Sequence, residues 1–220
     1  MAIAVIFDCD GVLVDSERLV TQVESEHIKR LGLELSPEEA RASFLGLTVT
    51  DTAARIQQQL GRSLPPEWLH DWGMWTALML TRSLRAVPGV TAVVEGLHRN
   101  GVPICVASQS PLPRVQLSLA VTGLTQYFGE RVFTASMVAR PKPAPDLFKY
   151  AAEQIGVDPR SCVVVEDSPS GVAAAVAAGM DVLGYAADSD AARLAAAGAE
   201  VFREMGEVPG LLRRRGLSVV

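Results

Sequence analysis

The chain is poor in basic residues, and this shortage excludes two classes of partner. Its 20 Lys and Arg against 25 Asp and Glu give a net charge of -5, whereas surfaces that bind nucleic acid or anionic membranes are normally basic. The run Arg213 to Arg215 is short and lies near the end of the sequence, where a solvated helix end explains it. We therefore expect no nucleic-acid partner and no membrane partner, and no feature of the sequence indicates a partner protein.

Long apolar runs and cysteines are also scarce. No window reaches the roughly 18 consecutive apolar residues of a membrane helix, and the sequence enters a strand pattern directly, without a signal-peptide pattern. The three cysteines, Cys9, Cys105 and Cys162, are widely spaced within apolar runs, which predicts reduced, buried thiols in a cytoplasmic protein. A catalytic thiol is the weaker alternative, because none has a histidine nearby in sequence, although a distant one stays possible.

Hydrophobic residues make up 49% of the 220 positions, enough for a substantial core. Short, nearly continuous apolar runs predict strands buried on both faces, at residues 2–7, 102–108, 131–135, 161–167 and 180–186. Helical patterns lie between them, at residues 90–100, 111–121, 145–155 and 169–178. This alternation predicts an α/β fold with a doubly wound, Rossmann-like parallel sheet.

One interval interrupts the alternation. Residues 16–85 contain no convincing strand and carry several amphipathic helix patterns, two of which end at glycine. We expect an α-helical cap domain at 16–85, inserted into an α/β core domain made of 1–15 and 86–220. Trp68, Trp72 and Trp75 are expected to form part of the core of this cap.

Polar residues interrupt the apolar pattern where the predicted strands end. They are Asp8, Asp10, Ser108, Glu166 and Asp167, with Lys142 on a proline-flanked segment. The carboxyl ends of parallel strands meet at one edge of a sheet, where several carboxylates would repel each other unless a cation lay between them. Oxygen ligands without a His or Cys cluster favour Mg²⁺.

Lys142 is one of only three lysines in a chain with seventeen arginines, and its compact ammonium suits a carboxylate or a phosphoryl oxygen. Ser108 is poorly supported as a nucleophile, because no G-x-S-x-G sequence surrounds it and the histidines, including His27, are expected on helix surfaces. A hydroxyl that holds a phosphoryl oxygen is the better interpretation.

These segments resemble the haloacid dehalogenase superfamily, in its branch with a helical cap. "DCDGVLVDS", "VAS", "RPKPAPD" and "VVVEDSPSG" match its four motifs in order. The resemblance implies that Asp8 is the nucleophile, that Asp10 is the general acid and base, and that Lys142 and Ser108 steady the phosphoryl oxygens. It also implies Mg²⁺ held by Asp8, Asp10 through its carbonyl, and Asp167, with Glu166 as a further or supporting ligand. Substrate contacts are expected from Gly46, Ser108, Gln109 and Lys142.

Two departures separate the chain from the β-phosphoglucomutases of the same branch. Val49 lies where those enzymes use an arginine for a second phosphate, and Val20 replaces a histidine. We therefore expect a Mg²⁺-dependent phosphatase acting on a small phosphorylated metabolite, such as a sugar phosphate or a phosphorylated sugar acid. A phosphosugar mutase with different cap residues is the alternative, and a non-catalytic binding protein is less favoured. Asp10 argues against dehalogenation, because the dehalogenases of the superfamily lack it.

Overall fold

The computed structural model describes residues 3–36, 39, 43, 44, 47 and 49–216. Its strands are Ala4–Phe7 (β1), Ile104–Ser108 (β2), Val132–Thr134 (β3), Cys162–Glu166 (β4), Asp181–Tyr185 (β5) and Glu200–Phe202 (β6). They form one parallel sheet in the order β3-β2-β1-β4-β5-β6. The strand order reverses direction between β1 and β4, and in doubly wound sheets ligands bind beyond the strand ends at that point.

Helices cover the sheet and fill the interval between β1 and β2. Their bounds are Glu17–Arg30 (α1), Val49–Leu60 (α2), Trp68–Ser83 (α3), Val90–Arg99 (α4), Leu112–Val121 (α5), Thr125–Phe128 (α6), Asp146–Gln154 (α7), Pro169–Ala177 (α8), Ala191–Ala197 (α9) and Val208–Arg214 (α10). Within the described ranges, no helix is long and apolar enough to cross a bilayer.

The strands are buried on both faces, as their continuous apolar character predicts. In β1, Val5 and Phe7 pack into one hydrophobic cluster with α4 and α5, whereas Ala4 and Ile6 pack into a second cluster with α7 and α8. Side chains alternate across a strand, so a central strand covered by helices on both sides needs an apolar residue at every position. The predicted fold class, an α/β parallel sheet with a helical cap, is confirmed.

In its described part, the interval predicted to form the cap contains helices joined by turns and no strand, with α1, α2 and α3 around a hydrophobic cluster of their own. Trp68 and Trp72 stack in that cluster with ring centroids 5.6 Å apart. Trp75 is 42% exposed, so its predicted burial is wrong; it lies beside His27 and Arg30 instead. His27 is itself buried and not on a helix surface.

The two connections between this interval and the sheet run side by side. The backbone N–H of Asp15 donates to the carbonyl of Arg85 (3.0 Å), and that of Val87 donates to the carbonyl of Leu13 (3.0 Å). This pairing supports the expected division into a core of 1–15 and 86–220 and a cap of 16–85, which stays a prediction. All three cysteines are buried free thiols, as predicted.

Candidate active site

Lys142 lies at the centre of a buried cluster at the carboxyl ends of β1, β2 and β4. Its Nζ donates hydrogen bonds to Asp8 Oδ1 (2.6 Å), Glu166 Oε1 (2.6 Å) and the carbonyl of Ala107 (3.0 Å). Only 4% of Lys142 is exposed, so its ammonium group exchanges water for three protein oxygens. The sequence predicted a fixed positive charge here, and the geometry shows which carboxylates surround it.

Buried charge perturbs the titration of this cluster. Burial raises the pKa of Asp8 to about 7, against the effect of Lys142 and with a further contribution from Glu166. Burial also raises the pKa of Asp167 well above its ordinary value, and the neighbouring Glu166 and Asp8 act in the same direction. For Lys142, burial alone would lower the pKa, but Asp8 and Glu166 outweigh it and raise the pKa. Three carboxyl groups share one ammonium group here, so their full ionisation would leave excess negative charge at this edge of the sheet.

Glu166 joins the cluster to the start of α8. Its Oε2 accepts hydrogen bonds from the backbone N–H groups of Asp167 and Ser168 and from Ser168 Oγ, each at 2.9 Å. Ser168 Oγ also caps α8 by accepting from the backbone N–H of Gly171 (3.0 Å). A Cβ atom on Gly171 would lie 1.7 Å from Glu166 Oε1, so glycine is required for this close approach.

The Asp10 carboxyl group has hydrogen-bond partners outside the Lys142 cluster. Its Oδ1 accepts from Ser16 Oγ and from Arg114 Nη2 (2.8 Å), and its Oδ2 accepts from Ser110 Oγ (2.5 Å). Burial alone would raise the pKa of Asp10, but Arg114 and the two serines outweigh it and hold the pKa below its ordinary value. The Asp10 carboxyl group is therefore ionised and fixed in direction in this state.

Gly11 makes room for the last acidic residue. It has a φ of +79°, a conformation that glycine adopts readily, and a Cβ atom there would lie 2.1 Å from Asp167 Oδ2. The turn after β1 is thus packed directly against the Asp167 carboxyl group. No described residue donates a hydrogen bond to that carboxyl group, which leaves its oxygens available to a ligand.

A cavity of about 130 Å³ opens over these groups. Ser108, Gln109, Ser110 and Arg114 line it from the sheet side, together with the acidic cluster and Lys142. The cap helices contribute the opposite wall, through Val20, Thr21, Glu24, Thr52 and Trp72. The cavity is smaller than the roughly 300–1,000 Å³ of a typical drug-sized pocket, so a small molecule fits it best.

The structure brings together seven of the residues predicted from the sequence, namely Asp8, Asp10, Ser108, Gln109, Lys142, Glu166 and Asp167. Ser108 is buried at the end of β2, where its Oγ accepts from the backbone N–H of Ser110 (3.0 Å). Gly46, also predicted to contact the substrate, lies outside the described residues.

Sequence reasoning missed Arg114, Ser110 and Ser16, which hold Asp10. The sequence position of Arg114 could have indicated a role, because Arg114 occupies the first turn of α5, where the helix dipole disfavours a cation. A cation placed against the dipole indicates a partner elsewhere in the fold. The two serines left no comparable signal, because serine is common at turns and at the start of helices.

The arrangement also matches a known family. A model of the haloacid dehalogenase-like hydrolases matches residues 4–179, which include β1, β2, β4 and the interval between β1 and β2. The chain belongs to the haloacid dehalogenase-like hydrolases. The sequence resemblance is therefore confirmed at the level of the family, and the chain is a hydrolase of that family.

Members of the haloacid dehalogenase family resemble the chain over nearly its whole length. The 6-phosphogluconate phosphatase of Escherichia coli is 29% identical over 217 residues, which cover 98% of this chain and 97% of that protein. Hexitol phosphatase A of Escherichia coli is 32% identical over 190 residues, covering 86% and 85%. A solved haloacid dehalogenase family hydrolase from Deinococcus radiodurans, with bound phosphate and sodium, is 35% identical with a TM-score of 0.80 and covers 100% of this chain and 99% of that one.

The residues at this edge of the sheet fit a divalent metal ion with oxygen ligands. Asp8 and Asp167 offer carboxyl oxygens, and both are buried beside other acidic groups, where a bound cation would favour their ionised forms. Among the described residues, no three His, Cys, Asp or Glu side chains form a complete set of metal ligands. Two carboxyl groups are a donor set of the kind that holds a hard divalent cation, whose other ligands come from water and substrate phosphate.

Proposed function

We propose that the chain is a Mg²⁺-dependent phosphatase that hydrolyses a small phosphate monoester, such as a sugar phosphate or a phosphorylated sugar acid. The observation that carries the proposal is the convergence of Asp8, Lys142 and Glu166 at one buried point, with Asp10 and Asp167 beside it. The phosphatase relatives support the reaction class, and the expected partner is a small phosphorylated metabolite.

Asp8 is the proposed nucleophile. Lys142 holds Oδ1, which leaves Oδ2 to attack the phosphorus while the bond from phosphorus to the alcohol oxygen breaks. This step forms an aspartyl phosphate and replaces one difficult displacement by two easier ones. Water then attacks the same phosphorus, and the bond to Asp8 Oδ2 breaks to release inorganic phosphate.

Asp10 is the proposed general acid and base. In the first step it gives a proton to the leaving alcohol oxygen, and in the second it takes a proton from the attacking water. Its contacts with Arg114, Ser16 and Ser110 favour the ionised form, so it must gain a proton before the first step. The incoming phosphate dianion adds negative charge nearby, which shifts the pKa of Asp10 upward.

Mg²⁺ would be held by the Asp8 and Asp167 carboxylates and the Asp10 carbonyl, and when bound it supplies charge that offsets the repulsion between the nucleophile and the phosphate. Glu166 was expected as a further or supporting ligand. Because its two oxygens already accept four hydrogen bonds, we assign it the task of fixing Lys142 and the Asp167 backbone. Lys142 and Ser108 would steady the phosphoryl oxygens.

The test is phosphate release from sugar phosphates, 6-phosphogluconate, phosphoglycolate and p-nitrophenyl phosphate, with Mg²⁺ or EDTA, in wild type and Asp8→Asn. We expect release that needs Mg²⁺ and falls by at least about 10³-fold in Asp8→Asn, because no carboxylate nucleophile remains. Release that survives Asp8→Asn would contradict the mechanism. Interconversion of phosphosugar isomers without phosphate release would instead establish the mutase alternative.

A further inference from the structure

Glu24 is a buried carboxyl group on the cap wall of the cavity. It lies on the face of α1 that also buries Leu19, Val23 and Ile28, and only 8% of it is exposed. No described residue donates a hydrogen bond to its carboxyl group. Burial raises the pKa of Glu24 to about 7, although the nearby Arg114 acts in the opposite direction. No described contact compensates for burying this carboxyl group. Buried acidic groups without such compensation are typically found at functional sites.

Arg114 faces the same cavity from α5 and is only partly satisfied. Its Nη2 donates to Asp10, whereas its Nε is buried without a hydrogen-bond partner. Glu24 and Arg114 both line the cavity, yet they do not form an ion pair. The Glu24 carboxyl group and the Arg114 guanidinium group therefore both border the space in which a molecule would bind.

We propose that Glu24 and Arg114 bind the part of the substrate beyond the phosphate, and that they select a neutral, polyhydroxylated leaving group over one that ends in a carboxylate. This inference rests on the proposed phosphatase function and narrows its substrate class. Hydroxyl groups donate to the Glu24 carboxylate and accept from the Arg114 guanidinium group, so a chain of hydroxyls satisfies both.

A substrate carboxylate is disfavoured by the charges around it. Arg114 is paired with Asp10, 2.8 Å away, and Glu24 places a further carboxyl group on the cavity wall, where its ionised form opposes the charge of Arg114. Asp10, Arg114 and Glu24 together carry a net charge of about -1 when Asp10 is ionised and about 0 when Asp10 holds the proton for the first step. In neither state does this wall offer an excess positive charge to a substrate carboxylate. Like charges placed together across an interface are an effective means of rejecting a wrong ligand.

Two probes form a matched pair for the test. D-Glucitol 6-phosphate and 6-phosphogluconate share their carbon chain and their phosphate, and differ only at C1, which is a hydroxymethyl group in one and a carboxylate in the other. In wild type, we expect kcat/KM for the hexitol phosphate to exceed that for the acid by about tenfold or more. In Glu24→Gln, we expect this ratio to fall by about tenfold, partly because kcat/KM for the acid rises.

Glu26→Gln is the matched control, because Glu26 is exposed on the same helix, and it should leave the ratio unchanged. A wild-type preference for the acid, or a ratio that Glu24→Gln does not alter, would overturn the inference while leaving the phosphatase proposal intact.

Binding measured without turnover separates the two proposals. Calorimetry with Mg²⁺ measures the binding of both phosphates to Asp8→Asn and to the double variant Asp8→Asn/Glu24→Gln. Asp8→Asn should bind the hexitol phosphate more tightly than the acid, and the double variant should lose this preference. If Asp8→Asn shows that preference but wild type releases no phosphate, the phosphatase proposal fails and the selectivity stands. Binding of neither phosphate, or equal binding of both, overturns the inference.

Discussion

The burial of Glu24 predicts an effect on stability, separate from its proposed effect on selectivity. Its pKa rises from 4.5 to about 7 on folding, because burial penalises the charged form more than Arg114 stabilises it. Below about pH 4.5 the group is protonated in both states and has no effect. As the pH rises towards about 7, the unfolded chain loses this proton before the folded chain does, so the free energy of unfolding falls with pH.

We therefore predict that Glu24→Gln stabilises the unliganded protein at pH 8 and has little effect at pH 4.5. The expected gain at pH 8 is roughly 2–3 kcal/mol, measured as the free energy of unfolding in urea. Glu26→Gln should change that quantity by less than about 0.5 kcal/mol at either pH, because Glu26 is exposed. Equal effects of Glu24→Gln at the two pH values would show that Glu24 is not ionised at a cost in the folded state.

At the scale of the elements, the first turn of α8 both supports and orients the site. Ser168 Oγ caps the helix at Gly171 and also donates to Glu166, which in turn contacts Lys142. Asp190 caps α9 in a comparable way, by accepting from the backbone N–H groups of Ala192 and Arg193. Asp190 is absent from the wall of the cavity. Comparing the two helix caps therefore distinguishes an effect on stability from an effect on activity.

We predict that Ser168→Ala and Asp190→Ala each lower the free energy of unfolding by about 1 kcal/mol, and that only Ser168→Ala lowers kcat. The reason is that Glu166 loses one of the hydrogen bonds that fix it against Lys142. Chemical denaturation gives the stability of each variant, and phosphate release gives kcat. Equal kcat values for the two variants would mean that the Ser168 cap is structural only.

The strands show how much of the fold could be predicted from the sequence. The five predicted strands are present, and their ends differ by only one or two residues, because buried parallel strands carry a continuous apolar signal. β6 has three residues, Glu200–Phe202, which is too short for any periodicity to emerge. Motif order brought Asp8, Lys142 and Asp167 to one place, but Glu24 and Arg114 depend on how α1 faces α5, and local sequence patterns do not encode that geometry.

The whole molecule should respond to metal because its acidic edge is destabilising when no cation is bound. We predict that about 10 mM Mg²⁺ raises the melting temperature of wild type by several degrees, since a ligand that binds only the folded state stabilises it. Asp167→Asn should lose this rise, because it removes one of the proposed ligands. A scanning fluorescence melt, matched for ionic strength with NaCl, measures both.

Asp181→Asn is the control for this experiment. Asp181 is exposed at the start of β5, away from the carboxyl ends of the strands, so that variant should keep the full rise with Mg²⁺. A rise that persists in Asp167→Asn would place the cation elsewhere.

The paired connections at Asp15 with Arg85 and at Leu13 with Val87 have an evolutionary consequence. The chain leaves the sheet and returns to it at one point, so the strand order is the same whether a few residues or seventy intervene. Segments with adjacent ends are the ones that tolerate replacement by other domains. The chemistry can thus be inherited unchanged while the lid is exchanged, and a transplanted lid would carry its own substrate preference onto the same catalytic edge.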